Sequence, residues 1–298
     1  MSHLSIALPE AQRPPVATAQ PRAELRPVGF GRTIAILLGL GFLPLTVLGA
    51  AAPDWEKTVT TLPRGNFPNP RPLVATYNFG WNEVVAANAE IRFDKSGDQL
   101  QLQAAGGTVG VVRALWRFDT HYRALADATT LRPISMHQVD ELRSKTVTTD
   151  ITFKRDSLER VRTDTKANKT PKPKNFSFAG GVFDMHSALL YLRSQALHEG
   201  DVYRVVVYPA TSPYLVTLTV TGREPITIAA GSYPAIKLDV QLHKIGKKNE
   251  LEPHRKFRRA SVWISDDSDR LLLRIEASIF VGKVFTELQS VRFPSSPH

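Results

Sequence analysis

A chain of 298 residues with 42% hydrophobic and 22% charged residues has the composition of a folded protein and the length for one large β domain, which excludes an intrinsically disordered chain. Its formal net charge of +10 favours anionic partners such as phospholipid headgroups, lipopolysaccharide or nucleic acid, yet the charges are scattered rather than clustered, which argues against a nucleic-acid surface. Cysteine is absent, so disulfides, thiolate catalysis and a lipid anchor on cysteine are excluded.

Residues 1–32 are rich in Pro, Ala and Arg without periodicity and read as a disordered leader. The run from Thr33 to Ala50 carries no charge, follows Arg32, and ends on the small residues Gly49-Ala50-Ala51-Ala52. These are the parts of an export signal: an apolar stretch for the export machinery and small side chains for the peptidase. Residues 33–51 are therefore expected to be a signal peptide cut after Ala51. The alternative is an uncut N-terminal anchor that touches the membrane through 33–50, since the run approaches the length of a membrane-spanning helix. Pro44 and the three glycines Gly39, Gly41 and Gly49 favour the signal. In both cases the remainder is expected outside the cytoplasm, in the periplasm or cell envelope.

Residues 52–72 read as a linker, Pro/Gly/Asn-rich from Pro63 onward, and 73–292 as a single β-rich domain. Alternation of apolar and polar residues predicts strands at Leu73–Gly80, Val85–Phe93 and Leu100–Ala104, the last two joined by the Ser96-Gly97-Asp98 turn. Further strands are expected at Leu115–Leu125, Ile134–Val139, Thr146–Phe153 and Leu158–Thr163, before a solvated Pro/Lys loop over 164–175. One helix, about 184–198, follows. Asp184 can cap it, Ala188, Leu189, Tyr191, Leu192 and Ala196 form its apolar stripe, and Gly200 ends it. Strands resume at Val202–Tyr208, Leu215–Gly222, Ile226–Ala229, Tyr233–His243, Phe257–Ser265, Leu271–Ile279 and Val284–Val291. The expected fold is mainly β: a strongly curved antiparallel sheet or open β-barrel with one packed helix.

The second half resembles a known family. Asp184, Ser187, Tyr191 and Arg193, followed by Gly200, resemble the "D-x-x-S-x-x-Y-x-x-R … G" helix of the bacterial Domain of Unknown Function 3108 family, with the tyrosine one position later than in that pattern. Gly222 and Glu224, with Gly231 and Lys237, are similar to its "G-x-E … aG-x-[FY]-x-a-x-K" hairpin. Trp263, Ser265, Asp266, Asp267 and Arg270 match its "W-x-S-D-D-x-x-R-x-P" segment, with leucine at 272 and 273 where proline is usual, and Gly282 fits its near-terminal glycine turn. Phe67-Pro68, Tyr77 and Gly80-Trp81 fit the opening strand, so the resemblance spans about 67–292. It implies an exported protein without an established activity, built on a curved sheet similar in outline to periplasmic lipoprotein carriers, an analogy of fold alone.

Asp184, His186 and Ser187 invite an envelope-hydrolase reading. On a helix, however, His186 points about 100° away from Ser187, and no G-x-S-x-G elbow is present, so a helix cap with local bonding explains the three better. The acidic turn Asp266-Asp267-Ser268-Asp269 lacks the Ca-loop pattern and reads as side chains bonding nearby backbone. Histidines 121, 137, 186, 198, 243 and 254 show no ligand spacing, and no Gly-rich loop precedes a helix. No metal site, no cofactor and no catalytic residue is predicted. The basic stretches Lys166–Lys174 and Lys244–Lys256 could meet anionic headgroups or glycans, at ~1 kcal/mol per basic residue near a surface.

The sequence thus points to a non-catalytic binding or scaffolding domain for an amphiphilic envelope component. Expected partners are lipid, anionic glycan or another envelope protein. The expected lining is Trp81, Trp116, Phe118, Tyr191 and Trp263, residues that could equally fill a core.

Overall fold

The computed structural model describes residues 54–61, 63–167, 170–253, 259–279 and 282–294. The leader, the apolar segment 33–51, His254 and Lys256 lie outside them. After a short 3-10 turn, Asp54–Thr58, come β1 (Leu73–Trp81), β2 (Val84–Ser96), β3 (Gln99–Thr108), helix α1 (Gly110–Leu115), β4 (Phe118–Asp127), β5 (Pro133–Leu142), β6 (Lys145–Phe153), β7 (Ser157–Asp164) and β8 (Lys174–Ser177). Helix α2 (Met185–Ser194) then leads into β9 (Val202–Val207), β10 (Tyr214–Ile228), β11 (Gly231–Ile245), β12 (Leu251–Pro253), β13 (Arg259–Ser265), β14 (Leu272–Ile279) and β15 (Gly282–Arg292).

All fifteen strands form one antiparallel sheet. Its order is β8-β7-β6-β5-β4-β3-β2-β1-β15-β14-β13-β11-β10-β9, with β12 paired to β11 off that path. It consists of two meanders, one on each side of α2 in the chain, and the pairing of β1 with β15 (Val74 opposite Arg292) fuses them. Period-two burial drives this arrangement. Along β6, Val147, Thr149, Ile151 and Phe153 are buried in alternation, so this strand covers the core with one face.

The sheet curls until its ends meet. Met136, Ile151 and Leu158 from β5–β7 pack with Val206, Tyr208, Leu215 and Ile245 from around β9–β11. The side chains of Arg160 and Tyr208 cross the gap with a 2.7 Å hydrogen bond. The segment before α2 fills the seam: Phe178, Val182 and Phe183 are buried, and Phe183 exchanges backbone hydrogen bonds with Val206 and Tyr208. This is a barrel-like open sheet with α2 against its inside. Leu190 of α2 packs with Phe93, Leu100 and Leu131 of the first meander, while Tyr191 packs with Val205 and Val207 of the second.

Local structure departs from the sequence expectation in several places. The Leu115–Leu125 strand starts only at Phe118; before it lies α1, a second helix. The alternation of Trp116 and Phe118 is misleading because the two rings stack on each other, centroids 5.5 Å apart, while the Thr108 hydroxyl donates to the Trp116 carbonyl and closes the loop. Helix α2 stops at Ser194, four residues before the expected end, because Leu197 turns into the core with φ +59° and an arginine takes the free carbonyls. Leu215–Gly222 and Ile226–Ala229 are one strand, β10, with a bulge between Val220 and Gly222, where Gly222 holds φ +147°. Lys174–Ser177, which begins inside the expected 164–175 loop, pairs as β8 along β7, and the described part of the expected linker packs on the body: Gly65 N–H donates to Ser194 Oγ and Thr60 N–H to the Arg204 carbonyl.

Candidate functional site

The strands after α2 carry apolar residues on both faces. Val205, Val206 and Val207 are consecutive and all buried, so β9 serves the seam core with one face and α2 with the other. The α2-facing side continues over Val216 and Leu218 of β10, Val240 and Leu242 of β11, Ala260 and Val262 of β13 and Ile275 of β14. Opposite them stand Met185, Ala188, Leu189 and Leu192, the i, i+3, i+4, i+7 face of α2. The helix does not close down on these strands. A groove of about 450 Å³ remains, and Tyr214 carries the one hydroxyl among its sixteen lining residues. Met185 at its edge is exposed, and its flexible thioether suits an adaptable wall. A second apolar cleft of about 400 Å³, lined by Phe79, Trp81, Val284 and Phe285, shares Ala260 and Ile275 with the first, so the two adjoin. A more polar cleft lies over β2–β5, where Arg123 donates to Gln101 and His137 pairs with Asp150.

The helix that walls the groove is fixed at both ends by polar contacts. At its start, Asp184 is fully buried and accepts from the Ser187 amide (2.7 Å) and hydroxyl (2.5 Å), while the Asp184 amide donates back to Ser187 Oγ (3.1 Å), a complete capping box. Burial raises the Asp184 carboxyl above its usual range, against the lowering effect of Ser187 and of Tyr122, whose hydroxyl also donates to it. His186 is buried beside Phe93, and burial pushes its imidazole down to about 4, against the opposing effect of a hydrogen bond with the Leu100 backbone; its Nε2 has no partner. Ser187 thus bonds to the cap, His186 bonds elsewhere, and neither is open to solvent. His186 therefore makes no base–nucleophile pair with Ser187, and the bond of Ser187 to Asp184 belongs to the buried helix cap.

At the helix end, Arg270 donates to the carbonyls of Arg193, Gln195 and Ala196, and its guanidinium lies over the Phe67 ring at 3.6 Å. Arg193 donates to the carbonyls of Pro68 (3.0 Å) and Asp269 (2.7 Å). Burial, reinforced by neighbouring Arg270, lowers Arg193 to about 10. All three acids of the turn are engaged. Asp267 accepts from Ser265 Oγ and from the amides of Asp269 and Arg270, Asp266 pairs with Arg223, and Asp269 takes Arg71 in a two-bond fork. Among the described residues no group of three or more His, Asp or Glu could hold a metal ion.

The expected aromatic lining is not gathered in one place. Trp81 lines the second cleft, Trp116 and Phe118 stack beside α1, and Tyr191 packs on Phe183 in the core. Trp263 sits on the sheet surface. Its Nε1 donates to Glu224 (2.7 Å), Lys237 pairs with the same carboxylate oxygen (3.1 Å) and lies 5.2 Å from the indole, and together they hold that carboxyl below its usual range. Of the two motif glycines at turns, Gly231 opens β11 at φ +131°, while Gly282 adopts φ +123° where a Cβ would strike the Asn82 side chain. The residues of the family-like motifs therefore hold the helix and hairpins in place. The groove itself is built of aliphatic residues that no motif marks.

The family model "Protein of unknown function (DUF3108)" matches residues 75–289, nearly three quarters of the chain. The chain belongs to the DUF3108 family. No curated protein matches this DUF3108 sequence. Among solved structures, a β-barrel-like protein of DUF1849 from Brucella abortus is similar at 11% identity and a TM-score of 0.52, over 76% of this chain and 100% of that one. It shares the barrel-like fold. A candidate lipoprotein from Parabacteroides distasonis (11% identity, TM-score 0.33, 78% and 100% covered) and a candidate exported protein with a YmcC-like fold from Bacteroides fragilis (10%, 0.30, 77% and 99%) align less closely.

Proposed function

We propose that this DUF3108 protein is an exported, non-catalytic binding protein of the cell envelope, and that it holds the hydrocarbon part of an amphiphile in the groove between α2 and β9–β14. One observation carries the reading: sixteen residues, fifteen of them from one helix and five strands and the other Pro209 from the β9–β10 loop, line about 450 Å³ with a single hydroxyl among them. A space this apolar and this size suits an acyl chain, which needs no hydrogen-bond partners, and discriminates against sugars and nucleotides, which do. The export part rests on the sequence of residues 33–51, an apolar run after Arg32 that ends in small residues.

Titration of the full chain with a fluorescent fatty acid tests the groove. The expected result is saturable binding that Ala188→Trp and Val262→Trp, which fill the groove from opposite walls, each weaken about tenfold or more while the far-UV spectrum stays unchanged. Equal binding by both variants would overturn the assignment.

A further inference from the structure

Eight large hydrophobic side chains are exposed among the described residues, and six of them crowd one rim of the sheet: Trp81, Val84, Val85, Val111, Leu115 and Trp116. Val111 and Leu115 stand highest, each 77% exposed, four residues apart and so on the same side of α1. Main-chain contacts hold the group together: Val84 lies opposite Trp81 across the β1–β2 turn, the Val109 amide donates to the Ala86 carbonyl, and Arg143 donates to the Ala114 carbonyl at 2.9 Å. Leaving this much hydrocarbon in water costs free energy, and its concentration at one rim is the pattern of an interaction site.

We propose that this rim inserts into the surface of a lipid bilayer. Three features favour a bilayer over a protein partner. The most exposed side chains, Val111 and Leu115, line none of the three clefts described above, so a fluid apolar phase accepts them without a complementary pocket. The side chains are aliphatic at the tip with two tryptophans beside them, the combination that sits at the boundary between headgroups and acyl chains. Residues 99–118 contain no acid, and Arg113, Arg117 and Arg143 stand at the base of the tip, where long guanidinium side chains reach phosphates. Asp119 bridges Arg113 and Arg117, and Glu83 and Glu141 are exposed at the same end, so hydrocarbon drives the insertion and the arginines orient it. The rim also adjoins the Trp81–Phe285 cleft, whose Ala260 and Ile275 belong to the main groove. Insertion does not depend on what the groove holds.

The cysteine-free chain makes a local test direct. In the full chain, Leu115→Cys carries an environment-sensitive fluorophore, and Ser96→Cys, at the far end of β2, carries the same label as control. With vesicles of phosphatidylglycerol and phosphatidylcholine, the label at 115 brightens and shifts to the blue several-fold more than at 96, and adding Val111→Asp cuts that response about tenfold. Ala188→Trp leaves it unchanged, which separates this rim from the groove. Three results would overturn the proposal: no response at 115, an equal response at 96, or a label at 115 already shielded without vesicles. In the last case residues 33–50 or, if shielding grows with concentration, a second copy of the chain cover the rim.

Discussion

Arg193 and Arg270 clasp each other through their backbones: Arg270 donates to the carbonyl of Arg193, and Arg193 donates to the carbonyl of Asp269, the residue just before Arg270. One arginine ends helix α2, the other ends the acidic turn between β13 and β14, and neither bond involves a carboxylate. The helix that walls the groove is thereby tied to the second meander at a point 77 residues away in sequence.

Removing one half of this clasp strands buried carbonyls. Arg270→Ala leaves the carbonyls at the C-terminal end of α2 without this donor and is expected to destabilise by on the order of 3 kcal/mol, read from urea unfolding. Lys237→Ala, which removes an exposed pair with Glu224, serves as the contrast and should cost less than about 1 kcal/mol.

Ser187→Ala breaks the capping box and removes two of the contacts that satisfy buried Asp184. Because the amide of residue 187 still donates, the expected loss is about 1–2 kcal/mol in stability. Melting of wild type and variant checks it. Loss of an ester- or peptide-cleaving activity with unchanged stability would restore a catalytic role for the serine.

Acid should weaken the fold through His186. Its folded value of about 4 lies below the unfolded 6.5, so between these the unfolded chain takes up a proton that the folded one refuses. The associated stability is complete above about pH 6.5 and is lost as pH falls toward 4, on the order of 3 kcal/mol in all. Asp184 acts with the opposite sign, since a raised folded value favours the folded state as the carboxyl takes its proton. The difference between wild type and His186→Gln, measured by unfolding from pH 7 to pH 4, isolates the histidine: the variant should show the shallower acid loss.

Much of the architecture was legible as alternation. β6 reads true because Val147, Thr149, Ile151 and Phe153 face one core while their neighbours face away. Helix α2 announces itself by Asp184 and its apolar stripe. Helix α1 does not, because its loop is closed by the Thr108 hydroxyl, a contact eight residues long, and its apolar residues face solvent instead of a core. The groove was invisible for a different reason. Where Val205, Val206 and Val207 all are apolar, periodicity cannot say which face meets α2 and which meets the seam. Tryptophan misled in turn: Trp263 has an N–H to satisfy and finds Glu224 at the surface, whereas an apolar wall requires only aliphatic groups.

Native mass spectrometry of the full-length protein, released from cell envelopes in a non-ionic detergent, tests the central claim most directly. The expected result is a population heavier than the apoprotein by the mass of a lipid or fatty acid, which Ala188→Trp and Val262→Trp abolish. Bare protein in every preparation, or an adduct that both variants retain, would contradict it.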